Sequence, residues 1–247
     1  MTRLAALPRL LGPATAGPRY QPSRGDREEI RVAGLALPVR ATVALFVATG
    51  AYVADATGSV VADAVRGALG PGDPSMDQAV TRAVLFGAMP LVVVLLGFRE
   101  SPARYGVTLG EWRWGLPLLL AGLVVMTPVI WFFSTLPEFV SYYKTASGPL
   151  GEVLVRNVLE LVPAEFLLRG FLLFVLLRRI GPLAIVVVQV PFVLTHIGKP
   201  DIELWSTFLG GSIFAWLDWR TRSIVWSALG HVYVLTLMVT LAGAAPG

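Results

Sequence analysis

Four runs without Asp, Glu, Lys or Arg dominate this chain: residues 83–98, 114–137, 180–198 and 223–247. Each approaches or exceeds the ~20 residues that cross about 30 Å of hydrocarbon at the helical rise. Three further segments carry a weaker form of the same signal. Residues 37–54 are interrupted by Arg40, residues 153–177 hold four charges, and residues 204–217 are short. An apolar fraction of 55% with 15% charged residues lies far from the ~25% charge of soluble domains. The sequence therefore predicts an all-α, polytopic transmembrane helical bundle of about seven spans (six to eight), in one domain over residues 37–247.

The charge pattern orients that bundle. Residues 1–36 contain Arg3, Arg9, Arg19, Arg24, Arg27 and Arg31 among prolines and glycines, without an apolar core long enough for a signal peptide, and they read as a basic, disordered cytoplasmic tail. With that tail inside and seven alternating spans, fourteen of the twenty basic residues fall on the cytoplasmic side, as the positive-inside bias requires. The expected location is an integral multi-pass protein of a prokaryotic plasma membrane, with the amino terminus cytoplasmic. A basic face against anionic lipid accounts for the pI near 9.8, so no nucleic-acid partner is expected. The chain has no cysteine, which excludes disulfides and thiol nucleophiles.

Against this background a few ionisable residues stand out, because an acid or base at a helix centre costs roughly 2.5 to 3.5 kcal/mol to insert. Glu165 and Arg169 lie in ELVPAEFLLRGFLLFVLL, His196 in IVVVQVPFVLTHIG and His231 in SIVWSALGHVYVLTLMV. Glu165 and Arg169 are four residues apart and share a helix face; Arg156 and Glu160 repeat the spacing and predict a second pair. The bland reading of such pairs is glue between helices. His196 sits where Gly198 and Pro200 should end a helix, a place that also suits an interfacial anchor. His231 lies deeper, and its bland reading is a neutral core histidine.

One carboxylate and two imidazoles in a water-accessible pocket suffice for hydrolysis, with the acid as general base and an imidazole helping to bind water or to steady an oxyanion. The same three, Glu165, His196 and His231, could instead hold zinc, since His₂Glu is a recognised ligand set. The HExxH signature is missing, and so are the GxSxG elbow and a phosphate-cradling glycine loop.

At these residues the chain resembles the CPBP intramembrane proteases, the family of CAAX prenyl endopeptidases and bacteriocin-processing enzymes. Its motifs EExxxR, FxxxH and HxxxN lie on separate membrane helices in that order. Here AEFLLRG supplies Glu165 and Arg169, FVLTH supplies Phe192 and His196, and the last helix supplies His231, all within about residues 150–240. Ala164 stands in place of the first motif glutamate, and Leu235 in place of the asparagine. The resemblance implies an endopeptidase that cleaves a peptide bond in a membrane-associated or lipidated protein. It makes Glu165 the general base, His196 its partner in holding water, His231 the oxyanion donor and Arg169 the counter-charge. HIGKPDIE also looks like a subset of the family in which Glu203 would be a second acid; its bland reading is a loop carboxylate paired with Lys199. Any cofactor would be zinc, or none where the glutamate activates water directly. Two other classes fit the same residues: a non-catalytic CPBP-like scaffold or immunity protein, and a proton-coupled transporter, which the lack of an inverted repeat disfavours.

Overall fold

A computed structural model describes residues 18, 20–58, 60–70 and 72–244. Seven helical rods follow the seven expected segments. They are α1 (Val39–Thr57), α3 (Pro74–Gly97), α4 (Trp112–Phe133), the continuous rod made of α6 (Leu150–Glu165), a π-helical turn (Phe166–Leu172) and α7 (Leu173–Ile180), then α8 (Leu183–Leu194), α9 (Asp201–Thr221) and α10 (Val225–Ala244). Two short helices, α2 (Val60–Leu69) and α5 (Pro137–Tyr143), lie in the connections. By length and hydropathy α1, α3, α4 and α10 qualify as spans on their own. The central rod is excluded by its charges, α8 by its length and α9 by its polar residues. The protein is thus an all-α integral membrane bundle.

Local chemistry sets the helix limits. Asp73 caps α3, its Oδ1 accepting from the Ser75 N–H at 3.0 Å, with Pro74 in the first turn, where its missing N–H costs nothing. In α1 the buried residues are Ala41, Ala44, Ala48 and Ala51, whereas Leu45, Phe46 and Val53 are exposed. Small residues on one stripe let this helix approach the central rod closely, and the bulky ones face lipid. The central rod supplies the densest packing: every residue from Phe166 to Leu177 is buried. A second cluster, built from Ile130, Phe139, Tyr143, Val153, Met238, Val239 and Ala242, fills the other end of the bundle.

The expectation of a disordered tail through residue 36 does not hold. Residues 1–17 and Arg19 lie outside the described residues, but the chain from Tyr20 onward is folded. It forms a tight turn at Gly25–Arg27 and then a hairpin, β1 (Glu29–Val32) against β2 (Leu35–Pro38), that leads directly into α1. The anchor is Asp26. Its Oδ1 pairs with Arg40 at 3.0 Å and Arg178 at 3.2 Å, and its Oδ2 accepts from Ser23 N–H at 2.7 Å, Ser23 Oγ at 2.8 Å and Arg104 at 3.3 Å. Burial alone would raise this carboxyl, but the Ser23 N–H and the Arg178 charge outweigh it and hold Asp26 below the usual carboxylate range. The Tyr20 hydroxyl adds a bond to the Trp219 carbonyl at 3.0 Å.

Candidate active site

Glu165 is the last residue of α6, and the wide turn begins immediately after it. π-Turns of this kind recur at functional sites. Its side chain is 1% exposed. Oε1 accepts two donors, the guanidinium of Arg169 and the Nδ1–H of His231 on α10, the latter at 2.6 Å. Oε2 is buried and has no partner among the described residues. The expected Glu165–Arg169 pair is therefore present and has a third member.

A single aromatic ring organises the rest. Phe192 on α8 packs edge-on against His196, centroids 4.7 Å apart, and against His231 at 6.0 Å. The Arg169 guanidinium lies 4.2 Å over the same ring, and 5.4 Å from the Phe214 ring of α9. A desolvated cation–π contact contributes about 2 kcal/mol, which offsets part of the cost of a guanidinium whose Nε and Nη2 find no hydrogen-bond acceptor among the described residues. Gly211 makes the arrangement possible: a Cβ there would lie 2.3 Å from Gln189 Oε1 and 2.5 Å from the Phe192 ring, so any side chain would push α9 off α8.

α8 ends at Leu194, and His196 sits in the following turn, buried, ahead of Gly198 with its positive φ of 94°. The Nδ1–H of His196 donates to the Phe192 carbonyl at 2.8 Å. In both histidines Nδ1 is thus the donor, which leaves the Nε2 lone pair as the reactive position. Glu165 and His231 are hydrogen-bonded, and the Phe192 ring packs against both His196 and His231. Among the described residues no group of three or more His, Asp or Glu side chains lies close enough together to hold a metal ion.

Other expectations resolve differently. Glu203 does not pair with His196; its Oε1 accepts from Lys199 at 2.7 Å and from the Tyr143 hydroxyl at 2.6 Å, the loop pairing of the bland reading with a tyrosine added. Arg156 and Glu160 do not pair either. Arg156 donates to the Ala146 carbonyl, and Glu160 pairs with Arg82 of α3, which also holds Asp55 of α1 at 3.0 Å. A cross-helix arginine with two acids within reach outcompetes an i,i+4 partner that has a carbonyl of its own.

Two polar features escaped the sequence reading. Asn157, two turns before Glu165 on α6, donates to Thr236 Oγ1 of α10 at 3.0 Å, a second rung of the α6–α10 contact. Asp218 of α9 is fully buried, and neither of its oxygens has a hydrogen-bond partner among the described residues. The only available signal was an acid in the otherwise apolar AWLDW. Beside the site, a groove of about 1120 Å³ opens between α3, α5, α6 and α10, lined by Tyr143, Asn157, Glu160, Lys199 and Leu235 among others. Glu165, Arg169, His196 and His231 do not line it; its wall residues Glu160 and Leu235 lie a little over one turn along α6 from Glu165 and along α10 from His231. The position of the absent motif asparagine, Leu235, is part of its wall.

A buried carboxylate bonded to an imidazole, in helices that cross a membrane and beside a polar groove, defines a candidate intramembrane hydrolase. Residues 146–237, which contain all of Glu165, Arg169, Phe192, His196 and His231, match the family model described as type II CAAX prenyl endopeptidase Rce1-like. Over this region the chain is similar to CAAX-type intramembrane proteases, in agreement with the CPBP resemblance of its motifs. No curated protein and no solved structure gives a significant match.

Proposed function

We propose that the protein is an intramembrane endopeptidase that hydrolyses a peptide bond in a membrane-associated or lipidated protein, and that Glu165 and His231 activate the water together. The observation that carries this reading is the 2.6 Å bond from His231 Nδ1 to Glu165 Oε1. A carboxylate that holds one imidazole nitrogen as donor directs the lone pair of the other outward, where it takes a proton from water. Hydroxide then adds to the carbonyl carbon of the scissile bond. The resulting imidazolium, stabilised by Glu165, returns its proton from Nε2 to the leaving amine. This assigns His231 the proton transfer, where the family resemblance alone would make it an oxyanion donor.

Arg169 supplies a permanent counter-charge beside Glu165, because a guanidinium does not give up its proton. Phe192 fixes both imidazole planes. His196, its Nδ1 bonded to a carbonyl, offers Nε2 as an acceptor that orients water or substrate. The groove lined by Tyr143, Asn157 and Leu235 is the path along which an extended segment reaches the pair. The amino terminus lies on the cytoplasmic side, as the arginine asymmetry requires; reporter fusions at the two ends check this, with a cytoplasmic signal expected only from the amino-terminal one.

The test is cleavage of prenylated and unmodified peptides by the purified protein in proteoliposomes, with products identified by mass. Wild-type protein should cleave, and His231→Ala should lower turnover by about 10² to 10⁴, the usual contribution of general acid–base catalysis. If wild-type protein cleaves nothing and His231→Ala changes only the melting temperature, the scaffold reading replaces this one.

A further inference from the structure

The hairpin before α1 is amphipathic, and its apolar face has no cover among the described residues. The register pairs Ile30 with Leu37 and Val32 with Leu35 on one face, and Glu29 with Pro38 and Arg31 with Ala36 on the other, since alternate residues point to opposite sides. Ile30, Val32 and Leu35 are 47, 51 and 65% exposed. An isolated two-stranded hairpin is at best marginally stable in water, so an uncovered apolar face on one calls for a partner.

Three observations identify the partner. Pro38 is the N-cap of α1, a spanning helix, so the hairpin sits at the membrane boundary with no intervening linker. Glu29, on the polar face, forms an ion pair with Arg179 at the end of α7; this fastens the hairpin to the bundle by its polar face while Ile30, Val32 and Leu35 stay exposed. Arg24, Arg27 and Arg31 are exposed around the same segment, a cationic setting that matches anionic lipid headgroups.

We infer that the Glu29–Pro38 hairpin is an interfacial membrane anchor, its Ile30, Val32, Leu35 and Leu37 face lying in the headgroup–acyl boundary of the leaflet at the arginine-rich end of the bundle. Asp26 and Glu29 connect this anchor to Arg178 and Arg179 of the rod that carries Glu165 and Arg169, so the hairpin holds that rod at a fixed depth relative to the lipid surface. The inference does not depend on the protease reading.

The absence of native cysteine gives a direct test. Single variants Leu35→Cys, Ile30→Cys and Arg31→Cys of the full chain carry a nitroxide label in proteoliposomes of neutral lipid with a third anionic lipid. Collision with oxygen and with a water-soluble nickel chelate is then compared at each position. The anchor predicts that labels at 30 and 35 collide several-fold more with oxygen than with the chelate, and that the label at 31 shows the reverse. Thermal unfolding of each labelled variant within a few degrees of wild type establishes that the hairpin site is read in the folded protein. Equal access of the chelate to positions 30, 31 and 35 would overturn the inference in favour of a bare face. Strong dipolar broadening between labels at 35 would overturn it in favour of a contact between two copies.

Discussion

Two buried carboxylates organise this protein, and they are satisfied to different degrees. Asp26, at the arginine-rich end, has both oxygens bonded, to three arginines and to Ser23. Glu165, at membrane depth, has Arg169 and His231 on one oxygen and no partner among the described residues on the other. A fully partnered buried acid is a structural fastening, whereas a buried polar atom without a partner calls for an explanation. Orphan oxygens alone do not make a site, since Glu203 Oε2 and both oxygens of Asp218 share that condition. Glu165 is distinguished by having an orphan oxygen, a paired arginine and an imidazole together.

The comparison breaks first, and by the largest amount, at Glu165. Glu165→Gln should lower peptide turnover by about 10³ or more while also leaving Arg169 without its acid, a change that destabilises by about 3 to 5 kcal/mol in a dry interior. Adding Arg169→Gln restores charge balance. The double variant should regain most of the thermal stability and none of the cleavage, measured by melting in detergent and by peptide hydrolysis. Recovery of cleavage would make the pair structural.

Asp26→Asn should show the opposite profile. Removing the charge at the hub of Arg40, Arg104 and Arg178 should cost about 3 kcal/mol of stability, while a protein still folded at assay temperature keeps turnover within about threefold. The effect has a sign with pH. Asp26 titrates below the usual carboxylate range in the folded protein, so its stabilisation is present above the unfolded value and disappears as pH falls through the folded one. The melting-temperature gap between wild type and Asp26→Asn should therefore narrow below about pH 4; a gap independent of pH would mean that the hub is not held by charge.

The smallest effect is expected at Glu203. Bonded to Lys199 and Tyr143 on the wall of the groove, it should tolerate Glu203→Gln with less than threefold loss of turnover and about 1 kcal/mol of stability. A tenfold or greater loss would restore it as the second acid.

These contrasts also show what the sequence could and could not reveal. The helices were legible, because uncharged runs of spanning length leave the backbone little alternative. Glu165 and His231 were legible as candidates to meet because ionisable groups in such runs must find one another or water, and they are bonded to each other. The hairpin was not, since its apolar residues are too few and too interrupted by arginine and glycine to signal structure, and its fastening comes from residues up to 152 positions away. The Arg156–Glu160 spacing misled because spacing along one helix says nothing of Arg82 on the next. Phe192 was visible only as a motif letter; its place under Arg169 and between two imidazoles depends on the crossing of α8 and α9 at Gly211, which no local pattern encodes.

The central claim is that Glu165 and His231 act as one unit on water. The most direct measurement is kcat/KM of reconstituted wild type, Glu165→Gln, His231→Ala and the double variant on one peptide substrate. Groups that act as a unit are strongly non-additive, so the account predicts that the double variant is no slower than the slower single variant, within about threefold. Losses that multiply would show independent roles and contradict the account.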